Sequence, residues 1–315
     1  MGAFATVIVP HDGSRLADTA QPFAAELARA TGSAVVLLRV LEERRPIFNV
    51  ARRELTWFSR STTRGELSAS EILAGPLAWF KEQGLPAQPV IRFGDPRSEI
   101  VAEAAAHPRP VIVIASHGRG GLGRVLLGSV VTRVLQTAAC PVFIVRARRP
   151  EQQAEAVRFR RIAVALDGSE RAEQALPVAI DLARDTGAAV ELIRVADTYR
   201  DEVPPEPERF LTSPAYEAML QDFDRREAET RDYLERMTAV LREHGLDVSW
   251  HALSGDPARQ ILGYVEDNPP DVLLLTTHGR GGLARWVYGS VADHLLTSAS
   301  VPLLLVRSTV QPAPA

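Results

Sequence analysis

Short apolar runs alternate along the chain with longer stretches in which apolar residues recur at helical spacing. Thr6–Pro10 is such a run, and Ser14–Thr31 follows it with Leu16, Ala20, Phe23, Ala24 and Leu27 on one helical face. Ser14 is placed to cap that helix and Gly32 stands where it ends. The run Ala34–Val40 comes next. A stretch of variable composition then leads to a helix near Leu67–Gln83 and to a strand at Gln88–Phe93. Asp95-Pro96 opens the third helix, as an N-cap followed by a first-turn proline. Val111–Ala115 is apolar throughout, as a strand covered on both faces must be. A glycine-rich loop, a fourth helix and the run Val142–Arg146 complete the pattern.

The whole pattern then occurs again. Its second appearance has strands at Ile162–Leu166, Ala189–Val195, Val248–Leu253, Val272–Thr276 and Leu303–Arg307. Its helices are Ser169–Thr186, a longer one near Ala215–His244, and one opened by Asp256-Pro257. Residues 4–40 and 159–195 share 19 identities in 37 positions, and residues 94–146 and 255–307 share 21 in 53. Two long copies are two domains, too few for a repeat array. The expected domains are residues 1–147 and 159–308, joined by the polar stretch Ala147–Arg158 and followed by a loose tail at Gln311–Ala315. Alternation of strand and helix predicts the α/β class: two tandem, doubly wound parallel sheets with right-handed crossovers. The last strands, Val142–Arg146 and Leu303–Arg307, would be exposed apolar edges if left alone, so they are expected to pair antiparallel and make the tandem a pseudo-dimer.

Composition narrows the function. Of 315 residues, 46% are hydrophobic and 24% charged, which suits a packed globular core. The formal charge of −3 gives no case for a nucleic-acid partner. The halves differ in sign: residues 1–150 carry a net +7 and residues 151–315 a net −10. That asymmetry favours attraction between the halves or head-to-tail pairing of chains in a homodimer, or it is drift on solvated surfaces. The single cysteine, Cys140, rules out an intramolecular disulfide and a cysteine-clustered zinc site. It aligns with Val301, so it reads as a small apolar residue. No apolar run approaches a membrane span, and no signal peptide is evident, so a cytoplasmic protein with no membrane partner is expected.

The chemistry converges beyond the carboxyl ends of the strands, where open parallel sheets bind ligands at the switch in strand order. Asp12 and Asp167 follow the first strands, and Val40 and Val195 end the second. The fourth strands run into Ala115-Ser116-His117-Gly118 and Thr276-Thr277-His278-Gly279. Gly118, Gly120 and Gly121, matched by Gly279, Gly281 and Gly282, let the backbone approach an anion closely. Gly128-Ser129 and Gly289-Ser290 stand at the starts of the fourth helices, where unpaired N–H groups and the helix dipole favour negative charge. This reads as phosphate capture. The Ser129 hydroxyl would bond a phosphate oxygen or a metal held by it. Asp12 would accept from a ribose hydroxyl or a base amine, or it shapes the turn into the helix. Arg119 and Arg280 neutralise phosphate or are solvated. His117 and His278 orient the loop or touch phosphate, and no nucleophile elbow accompanies them. The aromatic-rich insert around Ile47–Phe58 is a lid over the first site or ordinary packing.

Both halves resemble the universal stress protein family, which binds ATP through a motif of the form G-x2-G-x9-G-S/T. The resemblance covers nearly the whole chain, twice. It implies five-stranded Rossmann-like domains related to the adenine-nucleotide alpha hydrolases, and dimer pairing through the last strand. By position it implies that Pro10, Asp12 and Val40 surround the adenosine, and that Ala115, Gly118, Arg119, Gly128, Ser129 and Val130 line the phosphates. In the second half the matches are Ala165, Asp167, Val195, Thr276, Gly279, Arg280, Gly289, Ser290 and Val291. The sequence departs from the motif at its first glycine, which is Ala115 in one copy and Thr276 in the other. The implied cofactors are ATP and Mg²⁺, the metal held through the phosphates. The only lysine, Lys81, lies outside any phosphate loop, so a nucleotide-responsive stress or signalling module with little hydrolysis is the expected function. The alternatives are a slow adenine-nucleotide hydrolase and an interaction protein with vestigial pockets.

Overall fold

The computed structural model describes residues 2–42, 45–49, 54–58, 68–116, 127–146, 157–196, 214–277 and 289–308. In the first copy β1 (Thr6–Pro10), β2 (Ala34–Leu41), β5 (Ala87–Phe93), β6 (Pro110–Ser116) and β7 (Val142–Arg146) lie in the order β7-β6-β1-β2-β5. In the second copy β8 (Arg161–Leu166), β9 (Ala189–Ala196), β10 (Val248–Ser254), β11 (Val272–Thr277) and β12 (Leu303–Arg307) lie in the order β10-β9-β8-β11-β12. All neighbours within a copy are parallel. The order reverses between β1 and β6 and between β8 and β11, so each copy has one switch point.

The two sheets are one. Strand β7 pairs antiparallel with β12, with Ile144 opposite Leu303 and Phe143 opposite Leu304, and the result is a continuous ten-stranded sheet. The expected pseudo-dimer is therefore present within one chain. Both strands are almost wholly buried, which removes two apolar edges from water.

Helices cover both faces. One face carries α2 (Gln21–Thr31), α4 (Ala74–Glu82), α8 (Ala175–Thr186) and α9 (Pro214–Glu243), packed on Val7, Val9, Phe143, Val145, Val164 and Leu304. The other carries α5 (Pro96–Ala105), α6 (Ser129–Thr137), α10 (Pro257–Asp267) and α11 (Ser290–Ser298), packed on Ile8, Ile112, Ile144, Leu273 and Leu303. Phe143 joins the copies on the first face. Its ring lies 5.9 Å from Phe23 of α2 and 5.8 Å from Phe159 at the entry to β8. Across the join, Arg307 donates to the Ala138 carbonyl at 2.8 Å, placing a cation on the C-terminal end of α6.

The structure corrects the helix boundaries. The stretch Ser14–Thr31 is two helices, α1 (Arg15–Asp18) and α2, and Ser169–Thr186 is likewise α7 (Glu170–Glu173) and α8. Pro22 and Pro177 explain the breaks, because a proline ring collides with the carbonyl four residues earlier and offers no N–H to it. The Ser14 and Ser169 caps hold, each hydroxyl accepting an N–H at 3.2 and 3.1 Å respectively. Gly32 and Gly187 end their helices in the left-handed region at φ 68° and 72°. The helix expected near Leu67–Gln83 is also two, α3 (Ala69–Ile72) and α4, broken at Leu73. The variable stretch contains an unexpected antiparallel hairpin, β3 (Arg45–Asn49) with β4 (Glu54–Phe58). The linker ends in packed structure: Val157 rests on the core and Arg158 pairs with Glu26 at 2.7 Å. The tail lies outside the described residues.

Cys140, on the turn into β7, has its thiol pushed up to about 11 by burial. Its alkylation by iodoacetamide at neutral pH is expected to run about two orders of magnitude below that of a free cysteine, because the thiolate is the nucleophile. Mass spectrometry of timed aliquots, native against urea-unfolded, measures this; equal rates would contradict the burial.

Candidate functional site

Alternation along each strand decides which side chains reach which face. Val40 packs on the α5/α6 face, as do Ile8 and Ile112, whereas Ala115 packs on the opposite one. The sheet thus brings the half-buried Pro10, Val40 and Ala115 to its carboxyl edge, around the β1/β6 switch point. The second copy does the same with Ala165, Val195 and Thr276.

Asp12 leaves β1 in a tight turn. Its Oδ1 accepts from the Ser14 N–H at 2.9 Å and from the Ser14 hydroxyl at 2.6 Å. Asp167 repeats both bonds with Ser169, at 2.9 and 2.6 Å. The turn-shaping reading is therefore correct as far as it goes, but it occupies only one carboxylate oxygen. Both aspartates are exposed, and Oδ2 makes no hydrogen bond among the described residues. Burial pushes the Asp12 carboxyl up, but the Ser14 bonds and the charges of Arg39 and His11 outweigh it and hold the group below its ordinary range. Asp12 is thus an oriented carboxylate with one oxygen facing outward.

On the other side of the switch point, Gly128 caps α6 and Gly289 caps α11 with no side-chain hydrogen bond. The first helical bonds run from Thr132 N–H to the Gly128 carbonyl and from Asp293 N–H to the Gly289 carbonyl, both at 3.0 Å. The N–H groups of Ser129, Val130 and Val131 are therefore the unpaired donors of a helix start. Ser129 and Ser290 are exposed beside them, and Val130 and Val291 pack inward. This is an anion seat with a hydroxyl on its rim.

The sequence model of the universal stress protein family matches residues 3–146 and again residues 158–307. The chain belongs to the universal stress protein family. A universal stress protein of Mycobacterium tuberculosis is 32% identical over 202 residues, which are 63% of this chain and 62% of that protein. One from Thermus aquaticus is 30% identical over 149 residues, 47% of this chain and 99% of its own length, so one copy corresponds to a whole relative. A solved universal stress protein from Archaeoglobus fulgidus superposes with a TM-score of 0.69, covering 96% of this chain and 98% of that one at 19% identity; the two share a fold.

In this universal stress protein the carboxylate and the helix start lie on elements flanking the switch point, twice over. The motif residues between them, His117, Gly118, Arg119, Gly120, His278, Gly279, Arg280 and Gly281, lie outside the described residues, as does part of the aromatic insert. Asp95 and Asp256 are helix caps, as expected, accepting from the N–H of Arg97 and Arg259.

One residue escaped the sequence reading. Arg146, at the end of β7, stands opposite Ser116 at the end of β6 and donates to its hydroxyl at 3.1 Å. It is 6% exposed, and its Nε and Nη2 have no partner among the described residues. Burial lowers its guanidinium to about 10, still charged at neutral pH. A buried cation with no ion pair among the described residues thus adjoins Ser116, at the entry to the glycine loop. The only signal was the recurrence of arginine at Arg146 and Arg307, which reads equally as a solvated strand end.

Proposed function

We propose that each crevice binds an adenine nucleotide, ATP with Mg²⁺, and that occupancy makes the protein a nucleotide-responsive stress or signalling module with little or no hydrolysis. The observation that carries this is the flanking of each switch point by an oriented carboxylate and an uncapped helix N-terminus. Asp12 and Asp167 would take a ribose or base donor through Oδ2. The N–H groups at Ser129–Val131 and Ser290–Ala292 would take phosphate oxygens. Among the described residues no group of three or more His, Cys, Asp or Glu could hold a metal, so Mg²⁺ would ride on phosphate oxygens with the Ser129 or Ser290 hydroxyl as a further ligand. By the family resemblance, Gly118, Arg119, Gly279 and Arg280 would be further phosphate contacts.

Equilibrium dialysis of the full chain against labelled MgATP is expected to show two nucleotides per chain. The second crevice should be the weaker, because Thr276 is β-branched where the first copy has Ala115. At 100 times the dissociation constant, a site adds about 2.7 kcal/mol of stability, read as a rise in Tm. No retained nucleotide at millimolar MgATP and an unmoved Tm would leave the interaction-protein reading standing instead. Multiple turnovers per minute above a buffer control would favour the hydrolase.

A further inference from the structure

The two copies serve as controls for one another on the sheet face opposite α5 and α6. In the second copy the Arg194 side chain folds over the Gly168 turn, so closely that a Cβ there would come within 2.7 Å of Nη2. The Tyr233 ring of α9 lies over the Arg194 guanidinium, 4.5 Å from centroid to Cζ. The Tyr233 hydroxyl donates to Glu173 Oε1 at 3.1 Å. Tyr233 is 5% exposed and plugs this place.

The first copy keeps the frame and, among the described residues, lacks the plug. Arg39 matches Arg194, Gly13 matches Gly168, and Asp18 matches Glu173. Tyr233 stands twelve residues before Gly245, the left-handed glycine after α9; twelve residues before the equivalent Gly84 stands Ile72. The neighbouring buried positions confirm the register, Leu73 with Leu234 and Phe80 with Leu241. Ile72 offers neither ring nor hydroxyl. Where the tyrosine would reach there is a cavity of about 1190 Å³, walled by Phe23, Ile72, Leu73, Trp79 and Val145.

Its charge is one-sided. Among the described residues Arg15, Arg39, Arg146, Arg158 and Arg160 line it against Asp18 and Asp271, Arg146 at the end nearest the glycine loop. Asp271 Oδ2 accepts from the Arg160 and Arg161 N–H groups at 2.7 and 2.9 Å, and Arg158 is taken by Glu26. Asp18 Oδ1 accepts from Gln21 at 2.9 Å and meets His11 Nε2 at 3.0 Å. The Gly13 N–H donates to His11 Nδ1 at 3.1 Å, which puts the ring proton of a neutral His11 on Nε2, toward Asp18. Arg15, Arg39 and Arg160 make no ion pair among the described residues, although the charge of Arg39 also reaches Asp12, and Arg39 Nε is buried without a hydrogen bond to any described residue.

We propose that this cavity is a ligand site separate from the nucleotide crevice, and that it takes a small planar aromatic acid. The ring lies over Arg39, where Tyr233 lies over Arg194 in the sister copy, and the acidic group meets the unpaired guanidiniums. A flat ring over a guanidinium with apolar walls is favourable, and an acid neutralises charge that the protein leaves uncompensated.

The probe is 1-anilinonaphthalene-8-sulfonate, an aromatic sulfonate that brightens on leaving water, titrated into the full chain. One bright site per chain is expected, and saturating MgATP should leave it in place. Ile72→Tyr rebuilds the plug and should weaken the dye at least tenfold; melting curves check that the variant folds. Arg39→Gln leaves the cavity open and should weaken the dye by a similar factor. Benzoate should displace the dye several-fold better than cyclohexanecarboxylate. Displacement by MgATP, wild-type affinity in either variant, or equal competition by the two acids would overturn the assignment. None of these readings depends on whether the crevices bind nucleotide.

Discussion

Gly128→Asp is expected to abolish ATP capture in the first crevice while leaving the fold as stable as before. Gly128 has φ −56° and ψ 148°, which any residue adopts, and a Cβ there would meet none of the described residues within 4 Å. Aspartate is among the best N-cap residues and at this position would bond the α6 N–H groups itself, so stability should hold or rise by a few tenths of a kcal/mol. Those same N–H groups are the proposed phosphate donors, and the new carboxylate both occupies them and repels the phosphates. A loss of 100-fold or more in affinity is expected, about 2.7 kcal/mol. Calorimetric titration with MgATP should show the stoichiometry fall from two to one, and to zero when Gly289→Asp is added. Unchanged binding with an unchanged Tm would place the phosphates elsewhere and remove the basis of the proposed function.

Phe143→Ala should produce the largest loss of stability, about 3–5 kcal/mol. The side chain is fully buried in β7, the joining strand itself, where Phe143 stands opposite Leu304 of the second copy. It touches Phe23 of the first copy and Phe159 of the segment entering the second, so its removal opens a void on both sides of the join. Urea unfolding measures the effect. The Phe23→Ala variant, at a half-buried ring, should cost clearly less. Equal costs would mean that the cluster collapses around the void instead of holding it open.

The inner strands β6, β7, β11 and β12 were legible because each is a short apolar run whose burial on two faces leaves no polar alternation to confuse it; the expected bounds Val142–Arg146 and Leu303–Arg307 are the observed ones. The caps at Ser14, Asp95 and Gly32 were legible because their chemistry is local. The helix breaks at Pro22 and Pro177 were also local but were missed: hydrophobic spacing carries on across them, and only the proline ring interrupts the hydrogen bonds. The hairpin of β3 and β4 had no alternation strong enough to distinguish it from loop. In the candidate site, Asp12 and Gly128 could be placed from sequence because each ends or begins a regular element. Arg146 could not, since its meeting with Ser116 depends on the register of two strands thirty residues apart. The same holds for Tyr233 over Arg194, which only the closure of α9 against β9 reveals.

Fusion of the last strands turns a bimolecular encounter into a unimolecular one. Dilution cannot part the two halves, and neither can pair with a copy of itself along an edge already consumed. Every molecule therefore presents one alanine-type and one threonine-type crevice in a fixed one-to-one ratio. The two are free to drift toward different tasks, because substitutions in one are not imposed on its mate.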